Sequence, residues 1–221
     1  MELREAIYER RSVRGFKEEP VSKEILEDVL KTATRAISAS NMQPWEFAVV
    51  TGELLEKIGK EIEAGYLNGE PEDYEEDNVG GVYKQRKVGV AKQLFGAMDI
   101  AREDKENRQW WTRRGFRFFD APAAIIIYAD KELDKAASNF DLGCVTQNIC
   151  LAAMEHGLGT CAEIQGIMYQ KPLRKYLAIP ESKRFAIAVA IGYADDSFPA
   201  NHVVSTREEI NEITRWYGFD E

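Results

Sequence analysis

Residues 138–159, SNFDLGCVTQNICLAAMEHGLG, read as one long helix whose apolar side chains run round much of its circumference. Leu142, Val145, Ile149, Leu151, Ala152, Ala153 and Met154 leave no single stripe facing a core. Such a helix needs cover on more than one side, so it belongs in the middle of a fold or between subunits. Gly157 and Gly159 close it in the role that glycine serves at helix C-termini. The other segments must supply the layers around it. ELREAIYERR has helical periodicity through Leu3, Ala6 and Ile7. PVSKEILEDVLKTATRAISA is a second helix, with Ser22 as N-cap and Ile25, Leu26, Val29, Leu30 and Ala33 inward. WEFAVVTG is a short strand ended by Gly52, and ELLEKIGKEIEAGYL a further helix. Residues 68–90, rich in Gly, Pro and acidic side chains, read as an exposed excursion, after which AKQLFGAMDIAREDKENRQWWTRRGFRFF resumes helical spacing with a heavy aromatic load. APAAIIIYAD and RFAIAVAIGYAD are strands, MYQKPLRKYLAI a helix, and NHVVSTREEINEITRWYGF a polar tail. Strands and helices alternate without a regular βαβ cycle, which predicts an α+β sandwich of layers.

The chain has 221 residues, 44% of them hydrophobic, enough for one domain with a sizeable core. A net charge of -9 argues against broad binding to nucleic acid, which needs a basic face. Cys144, Cys150 and Cys161 form no CxxC pair and have no matching histidines, and an odd count fits poorly with a secreted disulfide framework, so reduced thiols are expected. MELREAIYERRS has no apolar signal core, and no apolar run approaches the roughly 20 residues that cross a bilayer; the expectation is a cytoplasmic protein. With only His156 and His202, a metal site is not expected and cofactor-free acid–base chemistry has few candidates.

Several stretches have plain structural readings. GLGTC lacks the G-x-G-x-x-G spacing and follows a helix, so it reads as a helix cap. Cys144 and Cys150 read as core packing, and His156 sits at a helix end. The acidic run EPEDYEEDN lacks EF-hand spacing and reads as a solvated face. Trp110, Trp111, Phe116, Phe118 and Phe119 either close the core or cover a flat ligand. RRSVR at 10–14 and SASNMQPW at 38–45 stand apart. Three arginines so close together repel one another unless an anion lies between them, and guanidinium forks match phosphate oxygens. The second stretch offers hydroxyls and two carboxamides where a helix ends. Together they suit a flat heteroaromatic ring tethered to a phosphate, as in flavin mononucleotide (FMN).

The order ERRSVRGF, SNMQPWEF, the apolar helix ending EHGLGTC, then IQG and IGYADDSFPANHVVSTR resembles the nitroreductase family of FMN enzymes over nearly the whole chain. Residues 60–115 are the least typical part, and YKQRKVGVAKQLFGAMDI is most similar to the branch that reduces nitrobenzoates and nitroaromatic herbicides. The resemblance implies a single domain over 1–221, a three-layer α-β-α sandwich with a central, mainly antiparallel sheet. It also implies an intertwined homodimer with two flavin sites at the subunit boundary. A variable excursion at about 62–112 is expected as a lid.

The resemblance further implies that Arg10 and Arg207 hold the FMN phosphate, that Arg11 and Ser12 line the same pocket, and that Arg14 sits by the pyrimidine edge. There a fixed cation favours the charge that reduction places on the ring. Ser38, Ala39, Asn41 and Gln43 match the segment given by the second subunit, and Gln165 and Gly166 the pair whose backbone lies by flavin N5. Ala39 stands where relatives carry serine, and Gln165 where many carry glutamate. Arg114 and Arg117 replace an asparagine and a lysine before the DAP strand and are assigned to the cofactor. The implied activity is ping-pong two-electron reduction of nitroaromatics, quinones or related acceptors by NADH or NADPH, with no catalytic side chain for the hydride step. Reductive dehalogenation of aromatic amino acids and a flavin-binding module without turnover are the alternatives.

Overall fold

The computed structural model describes residues 2–74 and 79–219. Four strands, β1 (Glu46–Thr51), β2 (Ala123–Asp130), β3 (Leu158–Glu163) and β4 (Lys183–Tyr193), form one sheet in the order β1-β2-β4-β3, every pairing antiparallel. AAIIIYAD is apolar almost without break because β2 is covered on both faces, the pattern that such a strand requires. Its side chains alternate between two cores. Ile125 and Ile127 pack with Val29, Leu142, Val145 and Ile149, from α2 (Lys23–Ala33) and α6 (Lys135–Glu155). Ala124 and Ile126 pack with Ile58, Ile62, Phe118 and Leu173, from α3 (Gly52–Leu67), the turn at 118–120 and α7 (Gln170–Leu177). Helices on both faces of an antiparallel sheet make the expected three-layer α-β-α sandwich. Among the described residues no helix is long and apolar enough to cross a membrane.

The helix signals act as anticipated where capping chemistry is local. Ser22 Oγ accepts the Ile25 N–H at 3.3 Å at the start of α2, and Gly157, at φ +70°, ends α6 in the left-handed conformation. Gly159 is a correction: it lies in β3 opposite Gly192 rather than in the cap, so of GLGTC only Gly157 is turn and the other four residues are strand. A cap motif says where a helix stops but not that the next residues find a sheet edge. The 68–90 excursion is also corrected. Gly81–Ala97 is a helix, α4, of which only Leu94 is buried, so no apolar stripe announces it. A break at 98–104 separates it from α5 (Lys105–Phe116). Of the acidic run, residues 75–78 lie outside the described residues. Asp73 is not merely solvated: its carboxylate accepts the Gln170 N–H at 2.7 Å, at the head of α7. The chain begins with α1 (Leu3–Glu9) and ends near the short α8 (Ile210–Ile213).

Candidate functional site

After α1 the chain runs beside β3. Ser12 bridges Thr160 in parallel fashion, Val13 N–H donates to Thr160 O at 2.9 Å, and Phe16 bridges Ala194. In extended backbone alternate residues share a face. Val13 and Gly15 are therefore buried, while Arg10, Ser12 and Arg14 face the other way, half-exposed. Asn201, 2% exposed, clamps this segment. Its Oδ1 accepts the N–H groups of Arg14 (2.7 Å) and Gly15 (3.1 Å), while its Nδ2 donates to Gly15 O (2.8 Å) and Asp195 O (2.9 Å). One carboxamide thus uses both ends to fix the arginine-bearing strand against the chain that follows β4.

Arg10 and Ser12 open onto a cleft of about 1340 Å³. Leu142, Gly143, Thr146, Gln147 and Cys150 of α6 form one wall, Thr160 and Ala162 of β3 another. Lys131, Lys135, Lys171, Arg174 and Arg184 join Arg10 around it, against Asp73 and Glu181, a local excess of positive charge in an acidic chain. Arg10 Nε is buried with no hydrogen-bond partner, as is Arg184 Nε. Burial lowers the pKa of Arg184, whose terminal nitrogens hold Asn139 and Ser138. Arg174 is committed to Glu181, Gln170 and carbonyls near the start of β4. The Cys150 thiol is pushed up by burial, against the effects of Thr160 and Arg10. A second cleft of about 550 Å³ is lined by Arg10, Arg11, Gly159 and Val204.

The turn after β3 carries Gln165 and Gly166. Gln165 Nε2 donates to Thr112 O at 3.1 Å, which ties it to α5. Gly166 is packed so closely that a Cβ would lie 2.3 Å from the Phe118 ring and 2.5 Å from Glu163 Oε1, leaving glycine the one residue that fits. Its N–H donates to Glu163 Oε2 at 2.7 Å. Phe118, Phe119 and Asp120 all have positive φ, 54–57°, a conformation that non-glycine residues hold only under strong tertiary constraint. The constraint is ionic. Arg114, buried, donates from Nε to Asp120 (2.9 Å) and from a terminal nitrogen to Phe119 O (3.0 Å), over the Phe198 ring. Arg117 bonds Asp120 (2.8 Å) and Glu63 (2.8 Å), and Arg113 bonds Glu63 as well. Arg114 and Arg117 are thus engaged with protein carboxylates; one terminal nitrogen of Arg114 is buried without a partner. Of the aromatic stretch, Phe116, Phe118 and Phe119 are core, and Trp111 stacks on Phe198 at 13°.

Ser38, Ala39, Asn41 and Gln43 lie on an exposed turn after α2 and line neither cleft. Ser38 Oγ accepts the Gln43 N–H, the Asp141 carboxylate accepts the Ala39 N–H, and Ser40, Asn41 and Gln43 have positive φ. Arg207, on the exposed C-terminal segment, bonds Ser205 and Thr206 and likewise lines neither cleft. One chain therefore brings Arg10 and Ser12 to a basic cleft and leaves the 38–43 turn and Arg207 outside it. Asn201 and Glu163 are the two functional candidates that sequence reasoning passes over. Asn201 lies in NHVVSTR, where nothing local marks a carboxamide as buried, and Glu163 looks like any polar residue ending a strand.

Known proteins give the arrangement a context. The model of the nitroreductase family matches residues 7–193. Nitrobenzene nitroreductase of Ectopseudomonas oleovorans is 37% identical over 213 residues, covering 94% of this chain and 93% of that protein. The 4-nitrobenzoate reductase of Nocardioides sp. is 31% identical over 91% of this chain and 84% of its own length. The FMN- and NADPH-dependent nitroreductase NfnB of Sphigopyxis sp. strain HMH superposes with a TM-score of 0.93 at 30% identity, over 99% of this chain and 100% of that one. With a family match spanning nearly all of the sandwich, and relatives aligned from end to end, the chain belongs to the nitroreductase family.

Proposed function

We propose that this protein is an FMN-dependent oxidoreductase that uses NADH or NADPH to reduce nitroaromatics, quinones or related acceptors. The observation that carries the reading is Arg10: a guanidinium whose buried Nε has no acceptor, at the rim of a basic cleft, in an otherwise acidic chain. A buried charged donor without a partner is costly unless a ligand supplies one. A phosphate monoester fits Arg10 and Ser12, since it offers them several anionic oxygens; Arg207, outside the cleft in the single chain, joins them only if the exposed C-terminal segment moves onto the bound phosphate. Arg14, half-exposed and 5.9 Å from the Phe119 ring centroid, is assigned to the pyrimidine edge of the flavin. Gln165 and Gly166 are assigned to the edge that bears N5, and Arg11, Arg114 and Arg117 complete the set of cationic candidates. Bound FMN supplies two-electron hydride transfer, which no side chain here performs. What the chain contributes is positioning: Asn201 fixes the segment that bears Arg14, and the 118–120 turn fixes the bed under Gly166. A nicotinamide donor and an acceptor would use the same slot against the bound cofactor and so would bind in turn, giving ping-pong turnover. The relatives are named for nitro compounds, which sets this reading ahead of dehalogenation or binding without turnover.

The working unit is proposed to be a homodimer in the cytoplasm, one domain per chain. A cleft of about 1340 Å³ exceeds the usual range for a small-molecule site, roughly 300–1,000 Å³, and one wall is the long helix α6. Phe140 on α6 is 66% exposed, and Leu3, Tyr8, Val204, Trp216 and Phe219 are exposed at the two ends of the chain. A second copy covers these surfaces and brings its Ser38, Ala39, Asn41 and Gln43 to the cleft. Within the 62–112 excursion the lid is assigned to the sparsely buried α4 and the neighbouring α5. Anaerobic stopped-flow mixing of the purified protein with NADH or NADPH, then with a panel of nitroaromatics and quinones, tests the reading. A yellow protein bleached by a nicotinamide and recoloured by a nitroaromatic is expected. A protein that stays colourless after incubation with FMN refutes it.

A further inference from the structure

A carboxyl group without an ion pair is buried beneath the 165–167 turn. Glu163 ends β3 at 8% exposure; its Oε2 accepts the Gly166 N–H at 2.7 Å, and its Oε1 is buried with no hydrogen-bond partner. Across the sheet stands Ala188 of β4, and the Phe118 ring closes over Gly166. The titratable neighbour on its own strand is the Cys161 thiol, itself pushed up to about 12 by burial, with Arg14 acting on it in the opposite sense. On α5, which packs on the same turn, Arg113 is paired with Glu63 and Arg114 with Asp120. None of these cations bonds Glu163. Burial pushes its carboxyl up to about 8, against the pull of the backbone N–H groups of Gly166 and Gln165.

The two protonation states hold the Gly166 N–H with unequal strength. A neutral carboxyl gives up an amide N–H as an ordinary hydrogen bond, whereas a carboxylate holds it through a charge-assisted bond roughly twice as strong. Losing that bond also leaves a bare charge in an apolar site.

We propose that Glu163 is a positioning residue that keeps the Gly166 N–H in the free chain and yields it to the ring of FMN only as the neutral acid, coupling cofactor binding to proton uptake. This rests on the reading above, in which FMN lies against the 165–166 turn. The balance is one proton taken from solvent per FMN bound where Glu163 starts ionised, and none where it starts protonated. Transfer of the N–H to the ring removes a bond that favours the carboxylate, so the Glu163 pKa rises further on binding. Affinity is then flat with pH well below 8 and falls as pH rises through and beyond it, by up to about tenfold per pH unit.

The test is calorimetric titration of FMN into cofactor-free wild type and E163Q between about pH 6.5 and 9.5, in two buffers of different ionisation enthalpy. Glutamine keeps the acceptor and the shape but cannot ionise. Wild type is expected to take up a proton above pH 8 and to lose affinity there, while E163Q binds without uptake and at least tenfold more tightly than wild type at the alkaline end. The second ionisation of the FMN phosphate is common to both and cancels. Melting of the cofactor-free proteins adds a readout independent of FMN. A carboxyl raised from 4.5 to about 8 stabilises the fold fully below 4.5 and loses that contribution as pH rises toward 8. The wild-type melting temperature accordingly declines over that window more steeply than that of E163Q. Equal pH dependence of FMN binding in the two proteins overturns the coupling alone. Failure of wild type to bind FMN at any pH overturns the functional reading and the coupling with it.

Discussion

Replacing Asn201 by alanine removes four hydrogen bonds through one buried side chain. They do not count equally. Gly15 O keeps a second donor, the Asp195 N–H at 3.0 Å, and Arg14 and Asp195 are half-exposed, so water replaces part of what they lose. The Gly15 N–H is buried and is left with no acceptor. An orphaned buried donor costs about 1–3 kcal/mol, and the remaining bonds about 0.5–1 kcal/mol each. The sum is about 2.5–6 kcal/mol, which for a chain of this length lowers Tm by about 5–24 °C. Because the freed segment bears Ser12 and Arg14, FMN affinity falls at least about tenfold, the equivalent of 1.4 kcal/mol. Chemical denaturation at fixed protein concentration and fluorescence titration of FMN measure the two effects. Asn201→Asp separates the roles of the two ends: it keeps an acceptor for the N–H groups but sets a second oxygen against Gly15 O and Asp195 O. That repulsion raises the pKa of the new carboxyl, so this variant gains stability as pH falls and the acid becomes a donor. A loss below about 0.5 kcal/mol for Asn201→Ala, with FMN affinity unchanged, refutes the clamp, since even one ordinary hydrogen bond is worth that much.

Other consequences are as direct. Arg10→Gln removes a buried donor that lacks an acceptor, so the cofactor-free protein melts no lower than wild type, while FMN binds about 10–150-fold more weakly, as loss of a charged bond worth 1.5–3 kcal/mol requires. Glu63→Ala strips a buried carboxylate from between Arg113 and Arg117; with both arginines partly solvated, the cost in urea unfolding is about 1.5–3 kcal/mol, below that of a fully buried pair. Burial pushes the Asp120 carboxyl up, but bonds from Arg117 and Arg114 outweigh it and hold the group below its ordinary 3.8. Its stabilising contribution is therefore full above pH 3.8 and lost as pH falls through the lowered value. Asp120→Asn should flatten the acid limb of the Tm profile.

Short-range chemistry was legible in the sequence. A serine ahead of an apolar periodic run caps α2, glycine ends α6, and AAIIIYAD announces a strand covered on both faces, because each signal needs only neighbours within a turn or a pleat. The layered α+β architecture follows from such elements, and the spacing of RRSVR already pointed to an anionic ligand. The first part of α4, residues 81–90, escaped for the converse reason: in a helix with Leu94 alone buried, that stretch carries no apolar period to read, and only from Ala91 on was helical spacing legible.

What tertiary structure decided is which polar groups are buried and who satisfies them. Asn201 meets residues 14 and 15 from nearly the far end of the chain, and Arg117 meets Glu63 across two helices. Glu163 became a candidate only when folding removed its water and left one oxygen without a partner. Propensity and periodicity are properties of adjacent residues, whereas desolvation depends on everything that packs around a group. A chain can thus declare its helices, its strands and the class of its ligand, while the protonation and partnering of its buried side chains exist only once the layers close.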